Sequence, residues 1–485
     1  MIKSNLEHIE NKWKKIKNLT IEDFFRDLSW NNITSMATVG LIAMCVLPIF
    51  VSITAKGSQF EYNKLSNSFA VDGVSINVLC AGEYWYMCLL AVAFFLCIVC
   101  LFMSLKRHYS NPVSNLNSAS LNRKAFHTEK LLPICLVVLL GWSVLSAFHS
   151  DDWLNSFLGT LYRHEGVLTY VVYAVVFCVA AMIDTSRFKL IAEILVGTCA
   201  LTGIAAADEG RYLGWLFSLV DDTGGAMFHQ YNHYGYFLAV CAPLAFGLAL
   251  QDSKKPIYAH IFRMLEVWLI FNAIAYNGTR GSFLAVTFVI LCWNVIVFVR
   301  FKEKRFKLII LDFIFVFTIL ALHTESQLLA RIMTLNNELV NAAQAVDTAR
   351  QSACVDTIGS GRGALWRLGI QFSIDRPFLG YGPDNLGAQY SLAGIGTDRP
   401  HNELIQIAAS LGIPALIFYL VGLAALFSVF IKNFKKFSLA EFSVFAAVGG
   451  YLFSSLFGNT MYYTTPYFYM MLGVSYTMCK TKQMQ

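Results

Sequence analysis

Apolar residues run through this chain in blocks of about 20, parted by short polar breaks. A helix rising 1.5 Å per residue needs roughly 20 apolar residues to cross a bilayer's hydrocarbon core. Blocks at 33–54, 83–103, 131–148, 166–183, 189–206, 231–250, 262–278, 281–299, 307–323, 403–430, 438–458 and 466–479 reach or approach that length. The pattern predicts an all-α, polytopic membrane protein of about twelve transmembrane helices.

One long stretch, 324–400, breaks the rhythm. Within 325–353, Leu328, Leu329, Ile332, Leu335 and Leu339 recur at helical spacing, which predicts a helix. A second helix is expected over Ala364–Ile374, stopped by Pro377. Gly380-Tyr381-Gly382-Pro383 then reads as a tight turn, with Asp384 or Asn385 capping a further short helix. Loops of this length with structure of their own usually carry function. The expected organisation is a basic inner segment (1–32), spans one to nine (33–323), a partly helical outer loop (324–402), spans ten to twelve (403–479) and an inner tail (480–485).

Composition agrees. Of 485 residues, 56% are hydrophobic and 14% charged, against about 25% charged in soluble domains. The net charge of +6 is explained by topology and does not call for a nucleic-acid partner. With the N-terminus inside, most of the 37 Lys and Arg fall on inner segments, as the positive-inside rule requires, and both termini are cytoplasmic. The first 31 residues are polar and basic and lack a cleavable signal pattern, so the first span is expected to be retained.

Residue type on the outer side is more telling. After Lys56 and Lys64 every predicted outer cation is Arg: Arg163, Arg211, Arg280, Arg331, Arg350, Arg362, Arg367, Arg376 and Arg399. The planar guanidinium matches phosphate in a two-pronged way that Lys does not. Pairing with loop acids such as Asp375 or Asp384 is the alternative for each. Most of the 12 cysteines sit in apolar blocks, and only Cys80 and Cys354 fall in outer loops, where a bridge stays open. No Cys/His spacing suggests a metal, and no cofactor is expected. Asp151-Asp152 and Asp221-Asp222 read as loop caps, and Trp85, Trp153, Tyr170, Tyr231, Tyr462 and Tyr463 as an interfacial aromatic belt.

Four polar clusters mark outer ends of spans: Tyr162–Gly166, His229–Gly235, Asn277–Ser282, and the long loop ending at His401. At the third, glycines flank Arg280 in a short reversal, and a helix starting there directs free amides at the interface, which suits an anion. Snorkelling to lipid headgroups is the other reading of Arg280, and a structural role the other reading of His401.

Taken in order, these pieces resemble the O-antigen ligase/polymerase superfamily of bacterial multispanning enzymes. The resemblance rests on Gly159–Gly166, Asn232 and Gly235 followed by Pro243, Thr279-Arg280-Gly281, Ser360-Gly361-Arg362 with Trp366, Arg376-Pro377 through Gly380-Tyr381-Gly382-Pro383, and His401-Asn402-Glu403 with Gly412-Ile413-Pro414. The second cluster departs from the Asn-Pro-Asn-like pattern of relatives. The resemblance implies a GT-C-like, metal-independent, inverting glycosyltransferase. It would move a glycan from undecaprenyl diphosphate to a glycan, lipid or protein acceptor on the outer face of the bacterial cytoplasmic membrane. Arg280 and Arg362 would hold the diphosphate, His401 would orient or deprotonate the acceptor, near the ordinary pKa of ~6.5, and Arg163 and Arg376 would assist. Asn402, Glu403, Trp366 and Asn232 are further candidates. A transporter or flippase for lipid-linked oligosaccharides is the competing class, and ligase and polymerase are not separated by the sequence.

Overall fold

A computed structural model describes residues 20–54, 81–110, 128–161, 163–208, 227–228, 230–251, 256–326, 333–334, 337–338, 340–341, 348–459 and 461–484. Among the described residues the fold is helical, with no strand. In chain order the helices are α1 (Ile21–Asp27), α2 (Trp30–Thr54), α3 (Ala81–Ser110), α4 (Leu131–Phe148), α5 (Trp153–Leu158), α6 (Val167–Ala180), α7 (Thr185–Asp208), α8 (Tyr231–Gln251), α9 (Ile257–Asn277), α10 (Arg280–Arg300), α11 (Arg305–Ser326), α12 (Thr348–Asp375), α13 (Leu386–Leu392), α14 (Glu403–Leu411), α15 (Ile413–Lys432), α16 (Leu439–Ser455) and α17 (Thr465–Met484).

Eight of these are long and apolar enough to cross a membrane by length and composition: α2, α3, α4, α7, α8, α9, α10 and α15. Helices α6 and α16 are apolar but shorter, and α11 and α17 stand where two more spans are expected. The chain is thus a polytopic helical membrane protein. Its pillar is α8, whose apolar stretch is buried throughout and which packs against α16, α9, α10 and α7. Close approach is bought by small residues, as is usual between membrane helices. Gly235 faces Ser282, Gly247 faces Ser443, and Gly450 faces the Ala239 carbonyl.

Four expectations change. The block 403–430 is two helices, not one: Gly412 between α14 and α15 has φ +92°, and Pro414 sits in the first turn of α15. The apolar block conceals this because the break rests on one glycine inside a largely apolar run. Second, α12 begins well before Ala364 and runs through Gly359 and Gly361, which take left-handed φ of +67° and +87°. Third, Asn385 occupies the N-cap of α13 without a capping bond; its amide donates instead to the Asp152 carbonyl (2.9 Å) and Ser156 Oγ (2.8 Å). Fourth, Trp85, Tyr462 and Tyr463 are buried, not interfacial, and Tyr462 stacks on Tyr463 at 4.2 Å. Asp152 does cap α5, accepting from Asn155 N at 3.0 Å. Asp221-Asp222, Cys80 and most of 325–347 lie outside the described residues, so the Cys80–Cys354 bridge does too.

The last part of the long loop has a small core of its own: Phe372, Tyr381, Leu386, Tyr390 and Ala409. It is fastened to the bundle through α4. Trp142 Nε1 donates to the Phe378 (3.1 Å) and Leu411 (3.0 Å) carbonyls. Ser146 Oγ reaches the Leu379 (2.6 Å) and Ser410 (3.1 Å) carbonyls. The segment 377–382 lies along the end of α14 through Tyr381 N to Ala409 O (3.0 Å), Gly382 N to Ser410 O (2.8 Å) and Ile413 N to Pro377 O (2.8 Å). A Cβ at Gly412 would overlap the Phe378 carbonyl. Gly412→Ala is therefore expected to cost about 1–3 kcal/mol from its left-handed φ alone and more from the overlap. A thermal melt of the detergent-solubilised variant checks this, the melting temperature falling by several degrees.

Candidate active site

A cavity of about 690 Å³ opens where the predicted outer ends of several helices meet. It is lined by Gln230, Tyr231 and Asn232 at the start of α8, by Gly278, Thr279 and Arg280 at the α9–α10 turn, by Gly359, Gly361, Arg362 and Leu365 of α12, by 395–397, and by His401. Three of the four polar clusters of the sequence thus converge on one space.

The α9–α10 turn is built to present Arg280. Gly278 closes α9 with φ +63° and donates its N–H to Ile274 O. Asn277 Nδ2 (2.7 Å) and Thr279 Oγ1 (3.3 Å) both donate to the Tyr231 carbonyl, tying the turn to α8. Arg280 is the first residue of α10, so the free amides of that helix start share the cavity with its guanidinium. Arg362 arrives differently: the left-handed Gly359 and Gly361 deform α12 one turn before it, a path open to glycine and strained for other residues. The Gly359 N–H donates to Glu338 Oε2 (2.8 Å), and the same carboxylate oxygen lies 3.9 Å from Arg280.

His401 stands between Pro400 and the N-cap of α14 with φ +53°. It shares positive φ with only two other non-glycine residues among those described, His164 (+51°) and Asp384 (+58°). Such conformations persist where surroundings over-determine them, and the surroundings here are ionic. Arg163 grips Asp398 with two prongs, Nε–Oδ2 at 2.5 Å and Nη2–Oδ1 at 2.8 Å. Arg399, 2% exposed, is paired with Asp384 Oδ1 and lies 3.6 Å from Asp398 Oδ2. Asp384 Oδ2 accepts from Thr160 N (2.7 Å), Thr160 Oγ1 (3.0 Å) and Glu165 N (3.2 Å). This clamp joins the first polar cluster to the two residues that precede Pro400-His401.

Electrostatics follow the geometry. Burial alone would raise the Asp398 pKa, but Arg163 and Arg399 outweigh it and hold the carboxyl at about 2. Burial first, and then Arg362 and Arg163, push His401 down to about 4. The expectation of a histidine near its ordinary pKa is therefore corrected: the imidazole is neutral throughout the physiological range. His164, stacked on Tyr86 at 4.2 Å, is likewise lowered to about 4 by burial.

Residues 265–420 match the family described as O-antigen ligase. The match covers about a third of the chain and supports a relation to the O-antigen ligase/polymerase superfamily. No curated protein matches the chain. The matched segment contains Arg280, Arg362 and His401 of the cavity lining, whereas Tyr231 and Asn232 precede it.

The other sequence candidates divide. Asn232 lines the cavity. Arg163 is outside the lining and spent on Asp398. Arg376 is also outside it, 3.1 Å from Asp151 and over the Tyr381 ring. Trp366 lies near Phe457, with ring centroids 6.3 Å apart. Asn402 caps α14, accepting from Ile405 N at 3.1 Å, and Glu403 is buried and accepts from Tyr419 at 3.1 Å. Pairing with outer-loop acids is thus the observed fate of Arg163, Arg367, Arg376 and Arg399, and Arg280 lies at the edge of such a pair with Glu338, 3.9 Å away. Sequence reasoning missed the roles of Asp398 and Glu338. The Asp-Arg-Pro-His order was visible, but Arg163, the partner of Asp398, lies 235 residues upstream.

Removing one partner of a buried ion pair leaves an uncompensated charge. Asp384→Asn is expected to cost roughly 3–5 kcal/mol, read as a lower melting temperature in detergent. Arg367→Ala, which breaks a pair with Arg367 63% exposed, leaves the melting temperature where it was.

Proposed function

We propose that the protein is a membrane glycosyltransferase of the O-antigen ligase or polymerase type. It moves a glycan from undecaprenyl diphosphate to an acceptor at the outer face of the bacterial cytoplasmic membrane, with both termini inside. The observation that carries the reading is the convergence of Arg280, Arg362 and His401 on one cavity within the matched segment.

In this reading Arg280 and Arg362 hold the diphosphate, with the amides at the start of α10 available to its oxygens. They stabilise the charge that grows on the leaving phosphate as the glycosidic bond breaks. The acceptor oxygen attacks the anomeric carbon from the opposite side, which inverts its configuration. The C–O bond to the acceptor forms, the anomeric C–O bond to phosphate breaks with its electron pair leaving on undecaprenyl diphosphate, and the acceptor proton passes to His401. A neutral His401 is available for that proton, and a bound diphosphate, facing the same side, offsets the guanidiniums that depress its basicity. No metal or cofactor is invoked.

A flippase for the same lipid is the second reading, favoured by the helix count alone. Polar and charged groups in a transporter would be expected near the bilayer midplane, whereas the cavity here gathers helix ends.

Purified protein in liposomes, given an undecaprenyl-diphosphate-linked oligosaccharide and acceptor, tests the assignment. His401→Ala is expected to lower kcat by roughly 10²–10⁴-fold and Arg280→Lys by about 10²-fold, both with unchanged melting temperature and no response to EDTA. A mild Arg280→Lys phenotype contradicts the two-pronged phosphate role. The pH profile is a second check. His401 must be neutral to accept a proton, so its lowered pKa moves the acid limb of kcat/KM down toward pH 4, and activity is expected to hold from pH 8 to below 6.

A further inference from the structure

Asn459 lies in the turn after α16, beyond the matched segment. It is 5% exposed. Its amide Nδ2 lies 3.3 Å from His401 Nδ1, the one side-chain hydrogen bond of His401 among the described residues. Its Oδ1 is buried and has no hydrogen-bond partner. The two ends of an Asn amide are nearly isosteric, and half a turn about the last torsion exchanges them.

Those two orientations correspond to two tautomers. If Nδ2 donates to Nδ1, a neutral imidazole carries its proton on Nε2. If Oδ1 faces the ring, it accepts from Nδ1–H and Nε2 keeps a lone pair. The placement of the ring favours the second. Turning Oδ1 to the ring gives that buried carbonyl oxygen a donor but takes Nδ2 from its ring partner, so the amide by itself does not choose between the two. Asn459 is not among the cavity-lining residues whereas His401 is, so the ring edge away from Nδ1 meets the cavity, with Arg280 and Arg362 on its walls. A lone pair facing guanidiniums is electrostatically better than an N–H facing them.

We propose that Asn459 is a positioning residue that holds His401 in the Nδ1–H tautomer, leaving Nε2 as the proton acceptor. This rests on the reading of His401 as the base. It resembles a general feature of histidine chemistry, in which the hydrogen bond at one ring nitrogen decides what the other can do.

The direct experiment is ¹⁵N NMR of the full chain in detergent, labelled at histidine, with the His401 signals assigned by difference against His401→Gln. The result expected is a protonated Nδ1 and an unprotonated Nε2; the reverse pattern overturns the proposal. Kinetics give a second arm. Asn459→Leu keeps the bulk but loses the acceptor, and is expected to lower kcat at least about tenfold with the donor KM unchanged. Asn459→Asp supplies an acceptor in either orientation and is expected to be at least tenfold faster than Asn459→Leu. The groups facing His401 are Arg362 from α12, Arg163, Asp398 and Arg399. A new carboxylate among them stabilises the imidazolium, so the acid limb of kcat moves to higher pH in Asn459→Asp. If Asn459→Asp is as slow as Asn459→Leu while both melt like the parent, the proposal fails. Retention of transfer by His401→Ala instead refutes the base reading, and leaves the NMR result to stand on its own.

Discussion

A guanidinium with 2% of its side chain exposed, as at Arg399, requires carboxylates around it, because an unpaired charge in a protein interior is prohibitively costly. Asp384 and Asp398 meet that requirement, and each is in turn held from the other side of the chain, Asp384 by Thr160 and the Glu165 amide and Asp398 by Arg163. The consequence is positional. The residues just before Pro400-His401 are fixed at both ends of an ionic clamp, and His401 is kept in a left-handed conformation that a free chain would leave. Asp384 and His164, the other two positive-φ residues outside glycine, belong to the same neighbourhood. Strain and charge are concentrated where the polar clusters meet.

Much of the architecture was legible because bilayer-spanning helices announce themselves by length and apolarity. The twelve apolar blocks each coincide with helix, and 131–148 matches α4 end to end. What was not legible depends on single residues overruling a pattern. Gly412 splits an apolar block that reads as one span, and Gly359 and Gly361 bend rather than start a helix. The aromatic belt failed for Trp85, Tyr462 and Tyr463 because amphipathic rings pack equally well inside a bundle as at its edge.

The site divides in the same way. Arg280, Arg362 and His401 were named because Arg, Gly and His at helix ends are chemically conspicuous, and all three line the cavity. Arg163 and Arg376 were equally conspicuous, yet they lie outside the cavity lining, each on a closer carboxylate than the 3.9 Å Glu338 contact of Arg280. Nothing local separates the two sets; the difference is set by Asp398 and Asp151, far away in the chain. Asn459 was invisible for a related reason. An Asn near a span end is unremarkable until the fold sets it beside His401. A neutral histidine facing several guanidiniums is poorly suited to bind a cation and well suited to receive a proton once an anion has arrived, and that order of events links the electrostatics to the transfer proposed.

The central claim is that this cavity breaks a sugar–phosphate bond. The most direct measurement follows a doubly labelled lipid, marked in both glycan and undecaprenyl diphosphate, in liposomes containing the purified protein and an acceptor. Transfer predicts one undecaprenyl diphosphate freed for each glycan that reaches acceptor, in a reaction that stops in the His401→Ala protein. Movement of both labels together across the bilayer, with the bond intact, would contradict it.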